Sequence, residues 1–554
     1  MRKFIVALAI FFIMAQSPAL ASQVTTISFD EQTPMLNYYD QNSYIFALEK
    51  MSDGVFYQTK VCSGWDDPQC ADKPYTANVI FPVCKSALDR NCIDFFEVTS
   101  SNVIDGTSKF IKTINPNGLS ESKLKPAGSG LSLFEVPSLK TEGGVYKFAV
   151  KVRINFNQNG NRDFSASVIP YTDDSTKYKD PYVRENELVF SPGSKVISGT
   201  FGDPKCIWSE NGACGIEARF PAGAKVKLTI RVGDYFTPWL HGRLAEPAFD
   251  YSDIGSGQYR LTITAKPVEI PGVSADISTS QNLGILQSVF CPFTSPGGFC
   301  TGNAEKDVER FVNQNGNRYR DNGWTTPFKI FDSLQQFFPS QASNKKEVWN
   351  FRTIPSNGGG LPYLCTNQMK YGSSFLGMIN TNAMVYEEGA PKFENSYLNY
   401  KVGGVHSNPD GTDFLGTYDL VLNSEFARCL FGISEKASIY SSISVVQGRQ
   451  ESKVQTSFFK DDGNWVRFGA YGFTFSTPTI KVNLYDGVSK DSSKVIEESA
   501  KGNNAEESSQ IIKSKGIAIQ QKSPKIKTLV CMKGKQLKRV KGVSPKCPSG
   551  FRKA

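Results

Sequence analysis

The cysteines constrain the fold of this 554-residue chain more than any other feature, because they decide which segments can be joined covalently. Their number, 12, is even, and their spacing favours disulfides between neighbours. The expected pairs are Cys62–Cys70, Cys84–Cys92, Cys206–Cys214, Cys291–Cys300, Cys365–Cys429 and Cys531–Cys547. Short bridges stiffen the tips of hairpins, whereas a long loop such as that between Cys365 and Cys429 joins distant strands. Zinc sites show C-x2-C-type spacing or nearby histidines. The chain has neither, so we predict no zinc.

The N-terminus has the features of a secretory signal peptide over residues 1–21. Arg2 and Lys3 form a charged start, positions 4–14 are apolar, and small residues precede a cleavage site after Ala21. The apolar run is shorter than the about 20 residues of a membrane-spanning helix, and no later stretch is apolar enough to cross a bilayer. We therefore expect a secreted or extracellular cell-surface protein with no transmembrane span in the mature chain, which agrees with oxidised cysteines.

Positive charge is concentrated at the C-terminal end. The chain has 62 Lys and Arg against 53 Asp and Glu, a net charge of +9. Thirteen of the basic residues follow position 507, and no acidic residue does. The mature chain before that point is net acidic, so we expect no nucleic-acid partner for the fold. We predict that a cationic tail binds an anionic cell-envelope polymer or lipid surface, or else merely keeps the protein soluble. The tail residues assigned to this role are Lys533, Lys535, Lys538, Arg539 and Lys541.

Composition and patterning favour strands joined by turns. Aromatic residues make up 12% of the chain, Gly and Pro are frequent, and apolar residues tend to alternate with polar ones. The chain is also too long for a single core. We predict an all-β protein of tandem β-sandwich-like domains with minor helix, stapled by disulfides, followed by a disordered linker and a small basic hairpin tail. The segments are the signal peptide 1–21, β domains 22–190, 191–302 and 346–487, a helical connector 303–345, the linker 488–526 and the stapled tail 527–554.

Individual elements follow from the same patterns. Strands are predicted at 77–83, 95–99, 146–156, 165–171, 224–232, 259–265 and 473–484, and a hairpin at 528–540. Helices are predicted at 43–51, 304–312 and 328–338.

The stretch 234–247 is chemically the densest part of the chain. On an extended strand Trp239, His241 and Arg243 would face the same side, because side chains alternate. An indole ring, an imidazole and a guanidinium together can bind a sugar or a carboxylated ligand. In the alternative interpretation Trp239 is a core residue, and Arg243 pairs with Asp234 or Glu246.

An asparagine-rich motif, Asn-Gln-Asn-Gly-Asn-Arg, occurs at 157–162 and again at 313–318. The alternate side chains of Asn157, Asn159, Asn161 and Asp163 are spaced like the oxygen ligands of a calcium loop. Most of them are neutral amides, however, and Asn-Gly is a strong signal for a hairpin turn. We therefore predict plain turns and no cofactor, with calcium as the alternative.

Two stretches resemble parts of secreted proteins of actinobacteria. The tail motifs Val-Cys-Met-Lys-Gly-Lys at 530–535 and Pro-Lys-Cys-Pro-Ser-Gly-Phe at 545–551 resemble a basic, cysteine-containing C-terminal module. The segment Ala-Arg-Cys-Leu-Phe-Gly at 427–432, with Trp465 and positions 472–480 downstream, resembles a β domain of unknown function that precedes such a tail. The resemblance covers about a third of the chain. It implies secretion, a modular layout and a structural disulfide for Cys429, and it transfers no catalytic residue.

Signatures of catalysis are missing from the sequence. We find no G-x-S-x-G elbow, phosphate-cradling Gly loop or dinucleotide fingerprint. We therefore expect a non-enzymatic binding protein held at the cell envelope by its tail. The alternative is an extracellular hydrolase of polysaccharide or peptide, which a concave site with convergent acids would favour.

Overall fold

The computed structural model describes residues 24–31, 41–50, 56–68, 70, 73–114, 118–122, 125–141, 144–157, 162–174, 178, 180–181, 183–187, 196–199, 202–233, 239–290, 303–304, 306–308, 318–319, 327–354, 365, 375–387, 389–434, 437–447, 450–452, 456–475, 477–486, 527–533, 536–542 and 552–553. The chain forms two compact units, Met1–Ser489 and Lys490–Ala554. The predicted signal peptide and linker lie outside the described residues.

The first unit is built mainly from strands. Strands β1 to β18 are Val24–Phe29, Tyr44–Lys50, Phe56–Val61, Tyr75–Ile80, Cys92–Thr99, Lys109–Thr113, Ser132–Thr141, Gly144–Asn157, Arg162–Asp174, Val183–Glu187, Val196–Gly199, Cys206–Glu210, Ala213–Glu217, Lys225–Gly233, Trp239–Arg243, Ala245–Gly255, Gln258–Lys266 and Val268–Ser278. Strands β19 to β31 are Arg318–Tyr319, Asn344–Val348, Asn350–Thr353, Gly377–Thr381, Val385–Tyr386, Lys392–Glu394, Tyr397–Gly403, Leu415–Asn423, Ile439–Gln447, Gln450–Ser452, Thr456–Asp461, Trp465–Thr474 and Thr479–Asp486. Helices α1 to α3 are Thr279–Phe290, Pro327–Leu334 and Ser424–Phe431, and a 3-10 turn, Gln335–Phe337, follows α2.

A sheet of fifteen strands, called the main sheet below, organises this unit. Its principal order is β29-β30-β26-β22-β15-β21-β9-β8-β4-β2-β3. Near its middle, β15 pairs antiparallel with β21 and parallel with β22. The main sheet takes strands from each of the three predicted β regions, and the domain boundaries drawn from the sequence stay predictions.

The main sheet is covered on both faces around β15 and β22, where every residue is buried. One core lies between it and the sheet β16-β17-β14-β5, and includes Leu240 and Met378. A second core lies between it and the sheet β23-β25-β31-β27-β28 with α3, and includes Trp239 and Ile379. Neighbouring residues of one strand therefore enter different cores. The result is an all-β, sandwich-like architecture, as predicted.

Most predicted strands are present, but the predicted helix at 43–51 is wrong. This stretch forms β2, which pairs with β3 and β4. Ile45, Phe46 and Ala47 are all buried, because the strand is covered on both faces. An unbroken apolar run of this kind fits a buried strand as well as a helix. The predicted helix at 328–338 is confirmed for residues 328–334, which lie in α2, and a 3-10 turn follows at 335–337. Helices α1 and α3 were not predicted.

Four of the expected disulfides are present. They are Cys62–Cys70, Cys84–Cys92, Cys206–Cys214 and Cys365–Cys429. The side chains of the other two pairs, Cys291–Cys300 and Cys531–Cys547, lie outside the described part of the chain.

The second unit contains the predicted hairpin. Strands β32 (Lys527–Lys533) and β33 (Gln536–Gly542) pair antiparallel, with Lys533 opposite Gln536. A third strand, β34 (Arg552–Lys553), adds to the free side of β32.

Candidate functional site

The predicted ligand-binding residues Trp239, His241 and Arg243 lie on β15, at the centre of the main sheet. Their side chains are 1%, 2% and 3% exposed. The chain is extended here, so the three side chains face the same side, but this face is covered by the second layer of the sandwich. These residues are therefore not on an accessible surface, and their role in ligand binding stays a prediction.

Arg243 is held by a buried ion pair. Its Nε donates to Glu31 Oε1 at 2.8 Å, and its Nη2 lies 2.7 Å from the same oxygen. The guanidinium also donates to the carbonyl oxygens of Thr381, Ala383 and Met384. Glu246, one of the two acids expected to pair with Arg243, instead pairs with Lys266 at 2.7 Å, and Asp234 lies outside the described residues. The alternative interpretation, that Trp239 is a core residue, is thus confirmed. The expected pairing of Arg243 with Glu246 is wrong.

His241 is enclosed by aromatic and cationic groups. Its ring stacks on Tyr386 with centroids 3.6 Å apart, and the Arg243 guanidinium lies 4.8 Å from the same Tyr386 ring. Among the described residues, the His241 Nε2 has no hydrogen-bond partner. Burial, together with the charges of Arg243 and Arg352, holds the pKa of His241 well below its usual range. The imidazole is therefore neutral at physiological pH.

The asparagine-rich motif at 157–162 joins β8 to β9 in an antiparallel hairpin, with Asn155 opposite Asp163. Asp163 Oδ1 accepts a hydrogen bond from Thr353 at 3.1 Å. Asn157 ends β8, and Asn159 and Asn161 lie outside the described residues. Among the residues that the structure describes, no group of three or more His, Cys, Asp or Glu is placed to hold a metal ion.

The predicted tail residues fall mostly on the hairpin of the second unit. Lys533 ends β32, and Lys538, Arg539 and Lys541 lie on β33. Lys538 is the register partner of Cys531. Lys535 lies outside the described residues, as does the second asparagine-rich motif except for its last residue, Arg318.

The site that the sequence did not indicate is a cleft of about 1120 Å³ on the first unit, called the charged cleft. It is lined by residues from β12, β13, β18 and β20, by the segment that follows β1, and by other loops beside these strands. The lining residues are Asp30, Glu31, Pro204, Lys205, Cys206, Ile207, Glu217, Ala218, Arg219, Phe220, Ala222, Glu269, Asn344, Lys345, Lys346, Glu347 and Pro409. This volume is at the upper end of that of ligand pockets, and Glu31 connects it to the buried Arg243.

Two ion pairs tie acids of the charged cleft to lysines of β20. Lys345 Nζ lies 2.7 Å from Glu269 Oε2, and Lys346 Nζ lies 3.0 Å from Glu217 Oε2. Side chains alternate along β20, so these neighbouring lysines reach acids on different strands. The pairs fix the positions of both charges without removing them from solvent.

Glu347 differs from the other acids of the cleft. Its Oε2 accepts a hydrogen bond from the Phe220 backbone N–H at 3.2 Å, and within the described residues no Lys or Arg is at ion-pair distance. Burial raises the pKa of Glu347, and the charge of Glu269, its register partner across β18 and β20, adds to the rise. The raised pKa means that Glu347 takes up a proton more readily than an exposed glutamate does.

The charged cleft can bind polar ligands through fixed donors and acceptors. Sequence reasoning missed it because its residues come from segments far apart in the chain. The only local signal was the run Asn-Lys-Lys-Glu at 344–347, which reads equally well as an ordinary solvated strand.

No protein-family model and no curated protein sequence matches this chain. Among the helices that the structure describes, none has both the length and the apolar character needed to cross a membrane.

Proposed function

We propose that the protein is a secreted or cell-surface binding protein, without catalytic activity, that holds a polar ligand in the charged cleft. The signal-like residues 1–21 and the disulfides support export. The resemblance of the tail to a module of secreted actinobacterial proteins supports the same compartment.

The pairing of acids with lysines in the charged cleft carries the binding proposal. A catalytic acid or base has to gain or lose a proton during the reaction. Glu269 and Glu217 lie 2.7 Å and 3.0 Å from ammonium groups, so each carboxyl group is already held in an ion pair. Such groups position a ligand by charge and hydrogen bonding rather than by proton transfer.

An extracellular hydrolase is the second candidate, and Glu347 is the observation that favours it. Glycoside hydrolysis commonly uses one protonated and one ionised carboxyl. Glu347, with its raised pKa, and Glu269, its register partner, could divide these roles.

Binding and hydrolysis are separated by incubating the mature full-length chain with arrays of polysaccharide and peptide. We expect retention of a ligand without new products in mass spectrometry. Lys346→Ala should weaken retention, because Glu217 loses its partner. Lys73→Ala is the control, since it removes an ion pair with Glu49 at 2.8 Å that does not line the cleft. Products that disappear in Glu347→Gln would establish the hydrolase instead.

We further propose that the cationic tail retains the protein at the envelope. The full-length chain is expected to sediment with cell envelopes at low salt and to be released at high salt, because salt screens exposed charges. A variant with Lys533, Lys535, Lys538, Arg539 and Lys541 all changed to Gln should remain in the supernatant. Sedimentation of this variant equal to that of the unchanged chain would contradict retention by the tail.

A further inference from the structure

The outer face of the sheet β23-β25-β31-β27-β28 is a second surface with the chemistry of a binding site. Alternate residues of its strands, such as Tyr400, Val482 and Val445, point into the second core. The residues between them face outward, and we call them the tyrosine face. Its members are Tyr397, Asn399, Lys401, Tyr440, Ser442, Lys481, Asn483 and Tyr485.

Three tyrosines place aromatic rings on this face. Tyr440 and Tyr485 are direct register partners on β27 and β31, and their rings lie nearly parallel with centroids 6.0 Å apart. Tyr440 is 47% exposed although it is a large side chain. Tyr397 lies on β25, two strands from Tyr440, with the Lys481 ammonium 6.0 Å from its ring. The rings are thus spread across a sheet surface rather than packed into a core.

Two lysines of the tyrosine face are available to an anionic ligand. Lys401 and Lys481 lie on neighbouring strands, and within the described residues neither is at ion-pair distance from an acid. At the edge of the face, Lys392 pairs with Glu387, and Glu394 on β24 lies opposite Tyr397. The Asn483 side chain makes no hydrogen bond within the described part of the chain. The ammonium groups of Lys401 and Lys481 and the side-chain amide of Asn483 are therefore available to contact a ligand.

We propose that the tyrosine face binds an extended anionic glycan whose sugars carry carboxylates. Sugar rings can stack on exposed phenol rings, which are apolar on their faces. Lys401 and Lys481 complement the carboxylates, and Asn483 and Ser442 offer hydrogen bonds to hydroxyls. A single-stranded nucleic acid would also stack on rings beside cations, but an exported chain meets glycans. The inference rests on the proposed export of the protein, not on the charged cleft.

The test is a titration of the mature full-length chain with a hexamer of galacturonic acid at fixed salt, with oxidative labelling of tyrosines as the local readout. No tyrosine occurs after position 485, so tyrosine labelling is insensitive to binding by the cationic tail. We expect the sugar to protect Tyr440 and Tyr485 from labelling. Tyr440→Ala should weaken binding by about tenfold, the size of a lost stacking contact, and Tyr440→Phe should retain most of it.

Charge is tested by Lys481→Gln, which should weaken binding several-fold. Lys460→Gln on β29 is the control, because Lys460 is a surface lysine with no ion pair among the described residues but lies on the main sheet. Equal binding of a neutral hexasaccharide, equal loss in Lys460→Gln, or no protection of Tyr440 would overturn the proposal. Preferential protection by oligothymidylate would assign the face to nucleic acid instead. The charged cleft is tested by a different variant, Lys346→Ala, so failure of one proposal would not imply failure of the other.

Discussion

Single residues in this protein show the cost of placing polar groups between two layers of sheet. His241 is 2% exposed, and no described residue forms a hydrogen bond with its Nε2. A buried polar atom without a partner lowers the free energy of unfolding, and protonation of the ring would add an uncompensated charge.

We predict that stability falls as the pH falls below about 6.5, the ordinary pKa of histidine. The folded state keeps His241 neutral, so the unfolded state binds more protons in this range. The loss should approach about 1.4 kcal/mol per pH unit for this group. Urea unfolding between pH 7.5 and 5.5 measures it. His241→Gln should flatten the slope, and His406→Gln, an exposed loop position, should not; identical slopes in all three proteins would refute the assignment.

Asp419 is another buried polar residue, with 0% exposure, but its carboxylate has hydrogen-bond partners. Its carboxylate accepts hydrogen bonds from Tyr471 Oη at 2.5 Å, Arg467 Nη2 at 3.1 Å and the Glu246 N–H at 3.3 Å. Glu246 adopts a left-handed φ of +50° to make this contact, a conformation that non-glycine residues seldom take. Burial raises the pKa of Asp419, and these donors oppose the rise.

We predict that Asp419→Ala lowers the free energy of unfolding by about 3–5 kcal/mol, because it leaves Arg467 without its buried partner. The exposed Asp413→Ala should change it by less than about 0.5 kcal/mol. Chemical denaturation of both variants at neutral pH provides the comparison. A loss below 1 kcal/mol in Asp419→Ala would mean that this pair contributes little.

At the scale of elements, the disulfides differ in what they join. Cys84–Cys92 closes a loop with a sequence separation of 8, whereas Cys365–Cys429 has a separation of 64 and ties α3 to a distant segment. Helix α3 is also fixed locally, since Asn423 Oδ1 accepts from the Phe426 N–H at its start and Gly432 ends it at a φ of +67°.

We predict that removing the long bridge costs more than removing a short one. In the loop-entropy model Cys365→Ala with Cys429→Ala loses about 4 kcal/mol, and Cys84→Ala with Cys92→Ala about 2.5 kcal/mol. Urea midpoints of the two double variants test the order. The reverse order would show that native-state contacts, rather than chain entropy, dominate these bridges.

The sequence predicts the individual strands of this fold better than it predicts which strands pair or pack together. Alternation located β8, β9, β14 and β17, because each has regularly alternating apolar positions. It could not show that β15 would be covered on both faces, since the covering strands come from segments both before and after it in the chain. The charged cleft was unpredictable for the same reason: Glu217, Glu269 and Glu347 meet only after the strands have paired. Local cysteine spacing, by contrast, was sufficient for the short bridges.

For the whole molecule, compartment and cysteine chemistry form one prediction. If the chain is exported and folds as described, a thiol reagent applied to secreted, unfolded but unreduced protein should label none of the 12 cysteines. The same protein after reduction should label at all of them. Two or more free thiols before reduction would contradict the disulfide scaffold, and a Cys291 or Cys531 among them would identify the pair at fault.

The pairing of β1 has a consequence for how the chain reaches this state. β1 lies beside β18, and the hydrogen-bonded hydroxyls of Thr25 and Thr279 are 254 positions apart. A ribosome delivers about 5–20 residues each second, so the opening strand waits well over ten seconds for its partner. Until β18 has been made, β1 lacks the antiparallel partner that it has in the folded chain, and an unpaired strand edge of this kind can pair with a wrong strand.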